Sequence, residues 1–305
     1  MTATETDRLN NSERVRANME LQWFPGHMAK TRRLISENLK LVDVVIELLD
    51  ARLPLSSRNP EIDAIVGSKP RIVVLNKCDM ADPEANRLWL EYFKNKGIAA
   101  FQADCRSGYG FSALAPAIDD VLKEKFERDK SRGIQRHSVR MMIVGIPNVG
   151  KSSFINRLSS RSAARTGNRP GVTTAKQWIR ISGKYEILDT PGILWPKFES
   201  PEVARRIAFT GGIKDEIMDI EELAFYLIGF LKQNYPQNLA QQYKLADKDL
   251  TADDWDLVQI IGKKRGCIIS GGEIDTFRAS NLILDDFRAA KLGRISLELP
   301  ENTNE

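Results

Sequence analysis

Five short stretches of this chain combine residue types whose spacing suits chemistry on a phosphorylated ligand. The first is Gly145-Ile146-Pro147-Asn148-Val149-Gly150-Lys151-Ser152, followed by Ser153. Glycines at this spacing let backbone N–H groups turn inward around a β-phosphate, and a helix opening there adds partial positive charge. Lys151 would reach the β- and γ-phosphates and act in the chemistry, and Ser152 would offer its hydroxyl to Mg²⁺. The second stretch is Asp189-Thr190-Pro191-Gly192. Asp189 at a strand end can hold a metal-bound water, and the Gly192 N–H can donate to a γ-phosphate and sense its loss. Alone this pattern is a common turn; some forty residues after a phosphate loop it is informative.

The third stretch, Asn76-Lys77-Cys78-Asp79, speaks to the base. Guanine presents N1–H and an exocyclic amine on one edge, and a carboxylate such as Asp79 accepts both. Adenine offers the wrong pattern, and an unmatched buried polar group can discriminate by as much as ~10⁴–10⁵-fold. Asn76 would tie this loop to the phosphate loop, and the Lys77 stem would cover the base. The fourth stretch, Ala103-Asp104-Cys105, stands where a backbone N–H would meet guanine O6. The fifth is Pro170-Gly171-Val172-Thr173-Thr174; Thr173, with Thr174 as alternative, could close over the nucleotide and ligate Mg²⁺.

These loops need strands behind them. Val42–Leu49, Arg71–Leu75, Ile98–Gln102, Val139–Val144 and Tyr185–Leu188 are short, apolar and β-branched, as buried parallel strands are. Helical patterns lie between most of them: one near Pro25, one over Pro83–Lys96 and one from Gly150 to about Leu158. The alternation predicts an α/β, doubly wound sheet with its ligand at the carboxyl ends of the strands. After about Pro201 the pattern turns helical. Asp219 with Glu222 forms a capping box before Ile220, Leu223, Ala224, Leu227, Ile228 and Leu231. A later helix holds Ile283, Phe287 and Ala290, with Lys291 near its end and Gly293 as its stop. The expected organisation is a polar tail over residues 1–19, a nucleotide-binding domain over 20–200 and an all-helical domain over 201–305.

Of the 305 residues, 42% are hydrophobic and 28% charged, as in a soluble globular protein, and no apolar run is long enough to span a bilayer. The mixed charges of the first twenty residues argue against a secretory or organelle leader. Cys78, Cys105 and Cys267 match neither a zinc spacing nor a disulfide framework, which suits a reducing cytoplasm. The net charge is only +4, but between Lys130 and Tyr185 there is no acid among twelve Lys and Arg. A one-signed stretch of this length points to a polyanion such as RNA, the plainer alternative being a solvated basic surface. In an ordinary GTPase the phosphate loop comes first; here the base-reading loops precede it, a circularly permuted order. Loops gathered at one sheet edge survive such a permutation.

The residues that carry a family resemblance extend beyond these motifs. They are Trp23-Phe24-Pro25-Gly26-His27-Met28-Ala29-Lys30, Asp50-Ala51-Arg52, the loops above, Ile193-Leu194-Trp195-Pro196, Gly212-Ile213-Lys214-Asp215-Glu216, Asp286-Phe287-Arg288 and Lys291-Leu292-Gly293-Arg294. Over about Leu21 to Leu297 the chain resembles the ribosome biogenesis GTPase A group of circularly permuted GTPases. The resemblance implies a cytoplasmic factor that hydrolyses GTP while the large ribosomal subunit is assembled, with that subunit and its rRNA as partners, no membrane, and a monomeric state. It points to His27 as the group that orients the attacking water, since Ile193 cannot; a structural histidine is the other reading. Asn148 resembles a K⁺-binding position in related GTPases, with a loop-stabilising asparagine equally open. Residues 205–305 carry 13 basic and 17 acidic residues, so RNA contact there would need local patches such as Lys263-Lys264-Arg265. A GTP-dependent switch acting on a protein partner without RNA is the alternative function. Use of GTP as a phosphoryl donor to a metabolite ranks last, because no second substrate constellation is visible.

Overall fold

The computed structural model describes residues 36–134, 138–163, 178–181, 184–188 and 200–300. Six strands form one sheet in the order β3-β2-β1-β4-β6-β5: β1 (Val44–Asp50), β2 (Arg71–Asn76), β3 (Ala99–Ala103), β4 (Val139–Val144), β5 (Trp178–Ile181) and β6 (Tyr185–Leu188). All neighbours pair in parallel except β5, which runs antiparallel to β6 at the edge. Every residue of β1 is buried, because helices cover both faces of a parallel sheet, and the strand accordingly reads as an apolar run interrupted by Glu47 and ended by Asp50.

Register places the carboxyl ends of the strands together. Asp50 pairs with Asn76, Asn76 with Ala103, and Glu47 with Val144. The loops that follow β1, β2, β3 and β4 therefore leave from one edge.

Helices between strands include α1 (Pro83–Asn95), α2 (Leu114–Val121) and α3 (Lys151–Ala163). Helix α1 starts where it does because the Asp82 side chain accepts from the amides of Glu84 and Ala85, and Pro83 suits the first turn. It buries Trp89 and Phe93 fully. Truncating either to Ala would cost about 3–5 kcal/mol.

Beyond residue 200 come α4 (Pro201–Phe209), α5 (Ile220–Asn234), α6 (Pro236–Tyr243), α7 (Asp254–Lys264) and α8 (Thr276–Arg288). The Asp219 side chain caps α5 by accepting from Glu222 N at 3.0 Å. Helix α8 ends at Arg288, earlier than its apolar pattern suggests: Ala290 sits outside it, left-handed at φ 55°. One apolar cluster runs from Ile46 and Leu48 of the sheet through Ile207 to Leu227, Leu257 and Ile283 of these helices. Residues 292–298 then return across the sheet's loops. Ile295 N donates to Met80 O and Leu297 N to Arg52 O.

Among the described residues no helix is long and apolar enough to cross a membrane.

Candidate guanine-nucleotide site

Strand β4 delivers the phosphate loop, and the loop's shape follows from two glycines. A Cβ on Gly145 would lie 2.5 Å from Leu48 O of β1, and one on Gly150, at φ 103°, would lie 2.4 Å from Asn76 Nδ2. The loop thus presses against its neighbours where only glycine fits. Val149 is buried beneath it, while Ser152 and Ser153 are exposed at the start of α3. Lys151 folds back: its Nζ donates to Gly145 O at 2.9 Å and Ile146 O at 2.5 Å. Burial pushes its ammonium down to about 8.

The loop after β2 is tied in at several points. Asn76, buried, donates through Nδ2 to Val149 O at 2.7 Å, and its Oδ1 accepts from Cys105 Sγ at 3.0 Å. Lys77 is left-handed at φ 60°; its Nζ bridges Asp50 Oδ2 at 2.9 Å and Asn148 O at 2.7 Å. Cys78 N donates to Ala103 O, and Cys78 O accepts from Asn86 Nδ2 of α1. Among the described residues the Asp79 Oδ1 is buried without a hydrogen-bond partner. Burial and the nearby Asp104 raise its pKa. A buried carboxylate acceptor without a partner is suited to an incoming donor, and the N1–H and N2–H₂ edge of guanine is such a donor pair.

The third loop is self-supporting. Asp104 Oδ1 accepts from Arg106 N at 2.7 Å and Oδ2 from Ser107 N at 3.0 Å, so this carboxylate shapes its own turn. Burial pushes the Cys105 thiol up to about 12 and the Cys78 thiol up to about 11, so both are neutral walls.

The structure brings Asn76, Lys77, Cys78, Asp79, Asp104, Cys105 and residues 148–153 to the sheet edge. His27, Thr173, Asp189 and Gly192 lie outside the described residues, as do Thr174 and His137.

Two features had no assigned role at the sequence level. Asp50 is fully buried at the end of β1, holding Lys77 and, through 2.8–2.9 Å bonds, the guanidinium of Arg52. Burial opposes its charge, but Arg52 and Lys77 hold the carboxyl well below the usual aspartate range. Arg52 in turn lies over the Phe287 ring of α8, 5.4 Å from its centroid. Second, Asn148 Nδ2 donates to Gly211 O, placing residues 210–216 against the phosphate loop around a hollow of about 420 Å³. Arg288 braces that segment through Asp215 at 2.7 Å and the carbonyls of Ala208 and Phe209. The signal for Asp50 was an acid at a strand end beside an Asn-Lys loop; that for Gly211 lay only in tertiary contact.

A glycine-built phosphate loop beside an Asn-Lys-x-Asp loop, on one edge of a parallel sheet, defines the class: a P-loop nucleotide-binding protein with a guanine-type base pocket. Comparison sharpens the class. Residues 140–262 match the family described as "50S ribosome-binding GTPase". Ribosome biogenesis GTPase A of Bacillus cereus is 50% identical over 94% of this chain and 96% of its own length. Mitochondrial ribosome-associated GTPase 1 of Mus musculus is 32% identical over 91% of this chain and 90% of its own. The crystal structure of GNP-bound YlqF from T. maritima superposes with a TM-score of 0.62 at 27% identity, covering 89% of this chain and 99% of that one. The chain belongs to the ribosome biogenesis GTPase A family, and it is a GTP hydrolase.

Proposed function

We propose that this GTPase acts in assembly of the large ribosomal subunit, binding the pre-ribosome and its rRNA in its GTP-bound form. The observation that carries the nucleotide half is the orphan Asp79 oxygen beside loops cross-tied by Asn76. The ribosomal half draws on the names of the relatives and on the acid-free stretch from Lys130 to Tyr185. Of the basic patch in the helical region, Lys264 and Arg265 are already held by Asp249 and Asp286, which shifts the expected RNA contact toward the sheet-bearing part.

In this reading the motif order is a circular permutation, residues 20–200 form the G domain, and 201–305 form a helical domain seated on it. Asn76, Lys77, Asp79, a backbone N–H near Asp104 and Cys105, residues 148–153, Thr173 and Gly192 hold GTP. Lys151 leaves its loop carbonyls for the phosphates. Mg²⁺, generally used by this class of GTPase, would be held by Ser152 and Thr173 with Asp189 through water, supplying positive charge at the phosphates. The exposed Ser152 hydroxyl fits that use. Asn148 would offer K⁺ only its amide oxygen, since the nitrogen is engaged by Gly211. His27 orients water, turnover is slow in isolation and the subunit stimulates it. The protein is cytoplasmic and monomeric.

Sucrose-gradient sedimentation with GDP and with a non-hydrolysable GTP analogue tests this, followed by crosslink mapping. Co-migration with large-subunit particles only in the analogue, lost steeply with added salt, is the expected result. Crosslinks to protein alone would shift the reading to a switch that acts without RNA.

A further inference from the structure

The carboxyl end of α8 reaches the phosphate loop by two routes that meet at Asn148. The first runs through Phe287, whose ring lies under the Arg52 guanidinium. Arg52 is held by Asp50, and its carbonyl accepts from Leu297 in the strap formed by residues 292–298. Asp50 also holds Lys77 Nζ, which donates to the Asn148 carbonyl at 2.7 Å. The second route runs through Arg288. Its guanidinium donates to Ala208 O at 3.0 Å and Phe209 O at 3.1 Å, two of the carbonyls that the end of α4 leaves without partners inside the helix. The same guanidinium meets both carboxylate oxygens of Asp215 at 2.7 Å. Between these fixed points the chain turns at Gly211, left-handed at φ 75°, with its N–H donating to Ala208 O. Gly211 O accepts from Asn148 Nδ2. A Cβ on Gly212 would lie 3.5 Å from Ile146 Cδ1, so this segment also packs against the loop's apolar underside.

We infer that Arg288 is a positioning residue for the phosphate loop, acting through Gly211 on Asn148 and so setting affinity for the β-phosphate from the helical part of the chain. The inference rests on the phosphate-loop reading of residues 145–152. Asn148 is itself left-handed, at φ 59°. That conformation is uncommon for a residue with a side chain, and asparagine adopts it at the least cost. Its carbonyl is held by Lys77 and its amide by Gly211, from the two routes above. Fixing this residue fixes the course of the backbone whose N–H groups would cradle the β-phosphate. As a plain helix cap and ion pair, Arg288 would contribute stability alone. Its bonds, however, fall on both flanks of Gly211, at residues 208, 209 and 215, and the carbonyl between them is given to the phosphate loop. A planar fork of donors can span a carboxylate and two carbonyls at once, which a point-charged ammonium cannot.

The test is calorimetry of GDP and of a non-hydrolysable GTP analogue, with GMP measured by competition. GMP keeps the base and ribose and lacks the β-phosphate. Wild type is compared with Arg288→Ala, Arg288→Lys, Asp215→Asn, Asn148→Gly and the Asn148→Gly, Arg288→Ala double variant. Loss of one anchoring hydrogen bond corresponds to roughly 3- to 10-fold in affinity. Arg288→Ala should weaken GDP and the analogue by that factor, and GMP by less than about twofold. Arg288→Lys should recover little of the loss, and Asp215→Asn should show part of it. Asn148→Gly keeps the left-handed turn and removes the donor, so in that background Arg288→Ala should add less than about twofold. Should Arg288→Ala fail to fold in urea titration, Arg288→Lys and Asp215→Asn read the same ratio of GDP to GMP. Unchanged GDP affinity, an equal loss for GDP and GMP, or full additivity with Asn148→Gly overturns the inference while leaving the phosphate loop standing. Failure of the wild-type chain itself to bind GDP would instead remove the reading beneath it.

Discussion

The base-reading half and the phosphate half of the site are built in opposite ways. Around Asn76–Asp79, every neighbour is anchored: Asn76 to two other loops, Lys77 to Asp50 and Asn148, Cys78 to β3 and α1, and the strap from above. The Asp79 Oδ1 is left without a partner among the described residues. At the phosphate end Lys151 is satisfied by its own loop, and the serines beside it face solvent. One half is preorganised for its ligand; the other must exchange internal bonds for ligand bonds. Preorganisation lowers the free energy lost on ordering at binding, so affinity should come mostly from the base side and responsiveness from the phosphate side.

Three substitutions and one pH profile test that contrast. The largest effect is expected from Asp79→Ala, which removes the leftover acceptor: GDP binding should weaken roughly 10³-fold or more, with no gain for ATP. Calorimetry with both nucleotides reads it, and a loss of less than tenfold would put the base half on the same footing as the phosphate half. Next is Asp50→Asn, which strands the buried Arg52 guanidinium and the Lys77 ammonium. Breaking such a pair costs about 3–5 kcal/mol, seen as a lower urea midpoint at pH 7. The folded carboxyl is held below its ordinary 3.8, so its stabilisation is fully present above that value and is lost progressively as pH falls from there through the lower folded value. The gap between Asp50→Asn and wild type should narrow below about pH 4.

Glu298→Gln comes third. Glu298 Oε1 accepts from the amides of Leu55 and Ser56, and Oε2 from Ser56 Oγ and Arg206 at 2.5 and 3.0 Å. An amide cannot accept at all four, and a loss of about 1–3 kcal/mol in thermal or urea unfolding is expected. Because this strap end also braces the loop after β1, GDP should weaken modestly in parallel. The smallest effect belongs to Lys151. Its ammonium is pushed down to about 8 with no nucleotide, and phosphates would draw it back up. Binding then takes up a proton above pH 8, so affinity should fall with rising pH there, by up to roughly tenfold per pH unit. A flat profile from pH 7 to 9 would mean the lysine is charged and ready beforehand.

Much of this was legible because strands of a parallel sheet are apolar runs and the loops that follow them carry fixed residue types. Strands over 71–75, 139–144 and 185–188 and the Asp82-capped helix appear where the pattern put them. Strand β5 was not anticipated: four residues, Trp178–Ile181, at an antiparallel edge, leave too short a signal. Helix α8 stops before Ala290 because the left-handed turn there comes from non-glycine residues and tertiary contacts, while the glycine that suggested a later stop lies at 293. The roles of Asp50 and residue 211 were hidden for one reason. The Asp50–Lys77 and Asn148–Gly211 contacts span 27 and 63 residues, and spacing alone does not specify contacts of that range.

The strap has a consequence for how this protein is made. Every sequence motif expected to meet nucleotide is complete by residue 192, yet the segment bonded to Met80 and Arg52 is not reached until residues 295–297. A nascent chain stopped a hundred residues short would carry all the recognisable GTPase sequences and lack the strap's bonds to Met80 and Arg52. The bonds that pin these loops from the far end of the chain are therefore the last to be made.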